Sequence, residues 1–236
     1  MGQHHFSIIS QTLPQKSARI YSNQGNGPLI DLMPPCSRVL DVGCGVGDNA
    51  RLIRARMPDC AIYGITLSEA EAQIARQVMS ACCVLDLEGP EVAFAGQHFD
   101  ALLFSHVLEH LRDPADVLMR YLDRLVSGGW VLIAVPNVLS WRMRIQFLRG
   151  DFEYESAGVL DDTHLRFFTY FTADRFLLAK TPNLQVVSKT VTGSFPLWWL
   201  RRHVLPTVWS ARIDRWACRH WPNLFGGQIL IKAVKK

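Results

Sequence analysis

His106, Glu109, His110 and His164 combine imidazole with carboxylate, a donor mixture that suits a divalent cation. The first three fall in FSHVLEHLRDP, residues 104–114, where Glu109 and His110 stand one helical turn from His106, so all three can share a face. Imidazole titrates at about 6.5 when unperturbed, so His106 or His164 can also take a proton from a hydroxyl or a protonated amine. In the plainer alternative, Glu109 and His110 only brace a loop, and the histidines only position a substrate.

A second chemical feature is SRVLDVGCGVGDNA, residues 37–50, where an apolar strand runs into three alternating glycines and then into a helix. Val39, Leu40 and Val42 suit a buried parallel strand. Gly43, Gly45 and Gly47 tolerate positive φ and carry no Cβ to hold a ligand off the backbone. In open α/β sheets ligands bind beyond the carboxyl ends of the strands, where the next helix adds unpaired N–H groups. The loop therefore reads as a nucleotide cradle. A glycine-rich turn with no ligand is the alternative.

VLDVGCGVG matches hhDhGCGxG, the first motif of the class I S-adenosylmethionine (SAM) methyltransferases, at every position and resembles it specifically. The resemblance implies that Gly43 and Gly45 approach the methionine part of SAM, that Cys44 and Gly47 belong to the same loop, and that Asp41 orders the loop from beneath. The family places an acid for the ribose at the end of the second strand. Here Thr66 stands there, in GITLSEAE, which resembles the cyclopropane-fatty-acid synthase group; Thr66, Leu67 and Glu71 would then hold the ribose. Glu71 equally reads as the capping-box partner of Ser68, and one carboxylate can serve both ends. Asp86 matches the residue that bonds the adenine amine, with Leu87 offering backbone contact. The alternative for Asp86 is a turn before Gly89. Ser105 and His106 fall where the family lines the SAM pocket opposite the transferred methyl.

The LEH segment and HLRFFT, residues 164–169, resemble the ExxEH metal set of small-RNA terminal ribose methyltransferases and, in part, of ubiquinone-pathway O-methyltransferases. That resemblance implies a divalent metal on Glu109 and His110 with His106 and His164, although His106 replaces the first Glu. The segments WRMRIQFLRGDFEYE and LDDTHLRFFTYFT are similar to a bacterial group that includes the MetW-like proteins.

The elements that must position these residues alternate. Strands are predicted at 60–66, 81–88, 99–105 and 129–137, with helices after the glycine loop, over 68–80 and from Pro114 to Gly128. Strands at 185–193 and 228–235 follow a helix at 171–180. The expected fold is α/β, a Rossmann-like seven-stranded sheet, mostly parallel with an antiparallel last strand and helices on both faces. Residues 1–36 read as a leader and short helix, and 37–236 as the methyltransferase domain. Residues 195–225 hold five of seven tryptophans and five arginines, with Asp214 the only acid. This stretch reads as a helical cap over an apolar acceptor, a contact with membrane headgroups, or an amphipathic helix packed on the sheet.

A length of 236 residues suits one domain with a sizeable core. The net charge of +4 neither excludes nor strongly suggests a polyanionic partner, and the lack of a basic stripe with interleaved aromatics ranks nucleic acid lower. Six cysteines without a CxxC pair argue against a zinc ribbon and for buried free thiols. No secretion signal or run long enough to span a bilayer is read, so the expected location is cytoplasmic. The expected activity is SAM-dependent O-methylation of a small-molecule, lipid-linked glycan or quinone-like acceptor. The alternatives are a non-catalytic SAM-binding or partner-binding protein of MetW-like type and an RNA ribose methyltransferase.

Overall fold

The computed structural model describes residues 24–197, 201 and 203–236. Most of the expected leader, and Trp198, Trp199, Leu200 and Arg202 of the expected cap, lie outside the described residues.

The sheet is built outward from β1 (Arg38–Val42), which pairs in parallel with β2 (Ala61–Thr66) on one side and β4 (Phe99–Ser105) on the other. Flanked on both edges and covered on both faces, it places Val39, Leu40 and Val42 at 0% exposure. Each such side chain contributes about 1.5–3 kcal/mol by leaving water. With β3 (Ala81–Val84), β5 (Leu125–Pro136), β6 (Leu184–Gly193) and β7 (Gly226–Lys235), the order is β3-β2-β1-β4-β5-β7-β6. The first five strands run parallel, and β7 runs antiparallel to both β5 and β6.

The alternation of β1 divides the core. Leu40 and Val42 join Val117, Leu118 and Tyr121 of α4 (Pro114–Leu122) and Leu177 of α6 (Ala173–Leu177) on one face. Val39 joins Leu29 and Ile30 of α1 (Gly27–Ile30), Ile53 of α2 (Asp48–Arg56), and Ala72 and Ala75 of α3 (Glu69–Ala75) on the other. Helices thus cover both faces, and the strand order reverses between β1 and β4, which opens a crevice at their carboxyl ends.

Two strands differ in extent from the expectation. β3 stops at Val84 because Asp86 Oδ1 accepts the Glu88 amide and turns the chain. β5 begins at Leu125 rather than 129. The glycine pair that reads as a helix stop lies inside the strand, where Gly128 takes φ 74° and the register with β4 shifts between Phe99 and Ala101. A bulge absorbs the extra residues.

β6 and β7 are joined by α7 (Thr207–His220) and α8 (Pro222–Phe225). Ala217, Cys218 and Phe225 form a small core with Trp141 of α5 (Trp141–Leu148), whose indole donates to the Ser194 carbonyl at 2.9 Å. All six cysteines are free thiols. Among the described residues no helix is long and apolar enough to cross a membrane.

Candidate active site

A cavity of about 940 Å³ opens at the carboxyl edge of the sheet, near the upper end of ordinary ligand pockets. One wall is the turn between β1 and α2. The amides of Gly43 and Cys44 both donate to the Ile65 carbonyl, at 2.9 and 2.8 Å, which ties the turn to β2. Gly43 has φ 81°, and a Cβ there would stand 2.5 Å from Val107 Cγ2, so the close approach of the two loops requires glycine.

Gly43, Cys44 and Gly45 line the cavity, whereas Asp41 and Gly47 stand back from it. Gly47 is the N-cap of α2, turned toward Ala75 at the end of α3 and Val78 just beyond it. Asp41 lies fully buried under the turn. One carboxylate oxygen takes a long bond from Asn49 Nδ2 at 3.4 Å, and the other, Oδ1, has no partner. Burial pushes its pKa up to about 7, the Asn49 bond opposing this in part. The orphaned oxygen lies beneath the turn and outside the cavity's lining, so it stands under the turn rather than facing the ligand space.

Thr66, Leu67 and Glu71 border the same wall. Ser68 caps α3 by accepting the Glu71 amide, while the Glu71 carboxylate accepts the Thr66 hydroxyl proton at 2.5 Å. Glu71 is 5% exposed and borders the cavity, and the Ser68 amide that a capping box would give to its carboxylate donates instead to Thr66 Oγ1 at 3.4 Å. Asp86 and Leu87 line the next stretch. Asp86 forms its turn and also borders the cavity.

The opposite wall comes from the turn after β4 and from the loop over 151–171. Ser105 and His106 both line the cavity. His106 takes φ 55°, rare for a side chain with a Cβ. Its Nδ1 lies 3.1 Å from Glu109 Oε1, and its Nε2 lies 2.9 Å from Gln228 Oε1. Burial pulls its pKa down, but the Glu109 carboxylate and the Gln228 bond outweigh that and raise it. With both nitrogens engaged, His106 serves better as a clamp than as a base.

Leu108, Glu109 and His110 form one 3-10 turn. Donor atoms of Glu109, His110 and His164 lie within 4.8 Å of one another. His106 stands outside this set, because its left-handed backbone turns it to Gln228; the expected fourth ligand is therefore absent from the cluster. Glu109 is fully buried, and its Oε2 has no hydrogen-bond partner. His110 Nδ1 donates to Thr163 Oγ1 at 2.9 Å, and the threonine hydroxyl in turn donates to Asp161 Oδ1. His164 Nδ1 donates to the Val159 carbonyl at 3.0 Å. Protons on both Nδ1 atoms leave the lone pairs on Nε2, the tautomer that metal-binding histidines adopt. Burial and the neighbouring His164 lower the pKa of His110, Glu109 opposing them, which favours neutral imidazole. A buried orphan carboxylate beside two oriented imidazoles fits a divalent cation.

Asn26, Asn49 and Gln228 also line the cavity, and the sequence reading missed all three. Asn26 falls in the stretch read as a loose leader, yet it is 8% exposed. It donates to Gln228 Oε1 at 2.9 Å and to Ser105 Oγ at 3.4 Å, and its amide donates to Asn49 Oδ1. A polar side chain at the head of the last strand was the available signal for Gln228.

A family model described as a methyltransferase domain matches residues 9–189. Trans-aconitate 2-methyltransferase of Methylobacterium radiotolerans is 30% identical over 110 residues, 43% of this chain and 38% of that protein. Ubiquinone biosynthesis O-methyltransferase of Nitrosomonas europaea is 31% identical over 104 residues, 42% of this chain and 43% of that protein. The chain therefore spans about two fifths of the length of these curated relatives. A solved SAM-dependent methyltransferase from Archaeoglobus fulgidus superposes with a TM-score of 0.57 at 18% identity, covering 88% of this chain and 90% of that one. The family model covers most of the chain, and the glycine turn and strand order agree with it: the protein belongs to the class I SAM-dependent methyltransferase family.

Proposed function

We propose that this protein binds SAM along the glycine-turn wall and transfers its methyl group to an oxygen of a small-molecule, quinone-like or lipid-linked acceptor. The reading is carried by one observation: the glycine turn and the Glu109, His110 and His164 cluster border the same cavity. The name of the Nitrosomonas relative, an O-methyltransferase of ubiquinone biosynthesis, supports oxygen as the target.

Bound SAM supplies an electrophilic methyl on a sulfonium. The chain's own task is alignment, for which well-oriented reactants gain up to about 7–11 kcal/mol. Gly43 and Gly45 let the ligand lie on backbone. Thr66 and Glu71 present a hydroxyl and a carboxylate to a ribose, and Asp86 presents an acceptor to an adenine amine. Asp41, buried beneath the turn, orders it from below. Glu109, His110 and His164 would hold a divalent cation, which lowers the pKa of an oxygen acceptor and orients it. His106 positions Glu109 from one side and Gln228 from the other.

A second use of the same lone pairs is proton acceptance by His164 Nε2 without metal. Titration calorimetry with SAM and its demethylated product, then labelled-methyl transfer to lipid extract and to RNA before and after chelation, separates the readings. Micromolar SAM binding with chelator-sensitive transfer to lipid-extract components is expected. Chelator-insensitive transfer favours His164 as base, and transfer confined to RNA favours the ribose reading. SAM binding with no transfer favours a non-catalytic protein, and no SAM binding rejects the proposal.

A further inference from the structure

The loop between β6 and β7 carries a surface that the methyl-transfer reading does not use. Helix periodicity places Val208, Arg212, Arg215, Trp216 and Arg219 of α7 on one outward arc, with Trp209 at its border. Val208, Trp209 and Trp216 are 58%, 57% and 51% exposed. The inward arc is filled by Ala217 and Cys218 against Phe225. The tryptophans are therefore not core residues, although aromatic residues at helical spacing usually are.

The charge on this arc has one sign. Asp214, the only acid of the helix, turns inward, where Arg201 reaches it at 2.7 Å and the Phe195 amide at 2.8 Å. Arg212, Arg215 and Arg219 face solvent. The Arg212 guanidinium lies 5.4 Å from the centre of the Trp209 ring, so cation and indole share one patch. An indole with half its surface in water is unfavourable unless something covers it. A row of guanidinium groups without carboxylates favours a polyanionic cover.

We propose that the outward face of α7 seats the protein on an anionic lipid bilayer, with guanidinium groups on lipid phosphates and indoles at the glycerol level. Both halves of the patch match that one surface: tryptophan concentrates at membrane–water interfaces, and arginine is drawn to anionic leaflets. α5 sits next to it through Trp141 and repeats the composition, with Ile145 and Leu148 exposed beside Arg142, Arg144 and Arg149 and no acid in the helix.

The placement matters for access. Gly193, at the end of β6, pairs with Gly226 at the start of β7, and Gly227 and Gln228 line the cavity. The loop leaves and re-enters the sheet at the cavity's own edge, so a bilayer under α7 lies beside the mouth. Delivery of an acceptor from the lipid phase rests on the proposed function; the lipid contact does not.

The test is flotation of the purified full chain with vesicles of equal parts phosphatidylcholine and phosphatidylglycerol, against vesicles of phosphatidylcholine alone. Retention on the anionic vesicles only, weakening as salt rises, is expected. Replacing Arg212, Arg215 and Arg219 together with Glu should weaken it at least about tenfold, since each arginine near an anionic surface matters. The pair Trp209→Ala and Trp216→Ala should also weaken it, with melting temperature and SAM affinity retained in both variants. Quenching of wild-type tryptophan emission by brominated phosphatidylglycerol reads the contact without any variant. Retention on neither vesicle, equal retention on both, no quenching, or retention unchanged in both variants overturns the proposal. So does a dimer in light scattering that both variants dissociate while vesicles retain nothing, which assigns the face to a second copy.

Discussion

His106 Nδ1 lies 3.1 Å from Glu109 Oε1, and this contact leaves the other oxygen of a fully buried carboxylate with no partner. A buried carboxyl group with one oxygen orphaned is costly, and it persists where a ligand completes it. Glu109→Gln keeps the shape and an acceptor but loses the charge. The variant should bind Mn²⁺ at least about tenfold more weakly, read by electron paramagnetic resonance, and transfer methyl groups slowly, while SAM affinity stays within about threefold. Unchanged Mn²⁺ binding rules out the cluster as a cation site.

Asp41 gives a pH dependence of known sign. Its carboxyl titrates at about 7 in the folded, ligand-free protein against 3.8 as the ordinary value, chiefly because it is buried. A folded pKa above the unfolded one means that the fold favours the protonated form. Stability from this group is therefore full below the ordinary value and is lost as pH rises through about 7. The full loss is at most about 4 kcal/mol. The urea midpoint of the ligand-free protein should fall between about pH 4 and pH 7 and level off above that, and Asp41→Asn should flatten that fall. Parallel pH profiles for variant and wild type would contradict the assignment.

The two ends of the glycine turn should answer differently to the same substitution. At Gly43 a new Cβ meets Val107 Cγ2 at 2.5 Å and Val107 Cβ at 2.7 Å, and the second of these cannot rotate away. At Gly47 it meets Val78 Cγ2 at 2.9 Å, away from the cavity. Both residues carry φ above 80°. Gly43→Ala should cost about 2–4 kcal/mol and weaken SAM binding at least tenfold. Gly47→Ala should cost about 1–2 kcal/mol with SAM affinity within about threefold. Equal effects on SAM binding would mean that the turn contacts the ligand along its whole length.

What the sequence made legible was local. The glycine turn, the capped start of α3 and the parallel strands each rest on residues within a dozen positions of one another, so periodicity and turn chemistry expose them. Gly128 misled because a glycine pair after a helix reads as a stop whether or not a strand runs through it. The tryptophans of α7 left three readings open for a related reason, since spacing reports a face and not what covers it. Gln228 meets His106 across 122 positions and Asn26 across 202. Only the closing of β7 against β5 brings them together, and no local pattern encodes that. His106 was legible as a pocket residue, but its left-handed backbone, which removes it from the cation cluster, was not.

Asn26 offers a test of that long-range part. Its Oδ1 accepts the Leu29 amide at 3.3 Å and caps α1, while its Nδ2 donates to Gln228 Oε1 at 2.9 Å. The amide of Gln228 is consistently oriented, because its Nε2 donates to Thr192 Oγ1 at 2.7 Å and its Oε1 also receives His106 Nε2. Asn26→Ala removes both roles and should cost about 1–2 kcal/mol. Asn26→Asp keeps the cap acceptor but sets a carboxylate against the Gln228 carbonyl. It should retain more stability than Asn26→Ala in urea titrations, yet release Gln228 and His106 and lower kcat more than it raises the KM for SAM. An Asp variant as active as wild type would mean that Asn26 only caps its helix and that the Gln228 and His106 clamp holds without it.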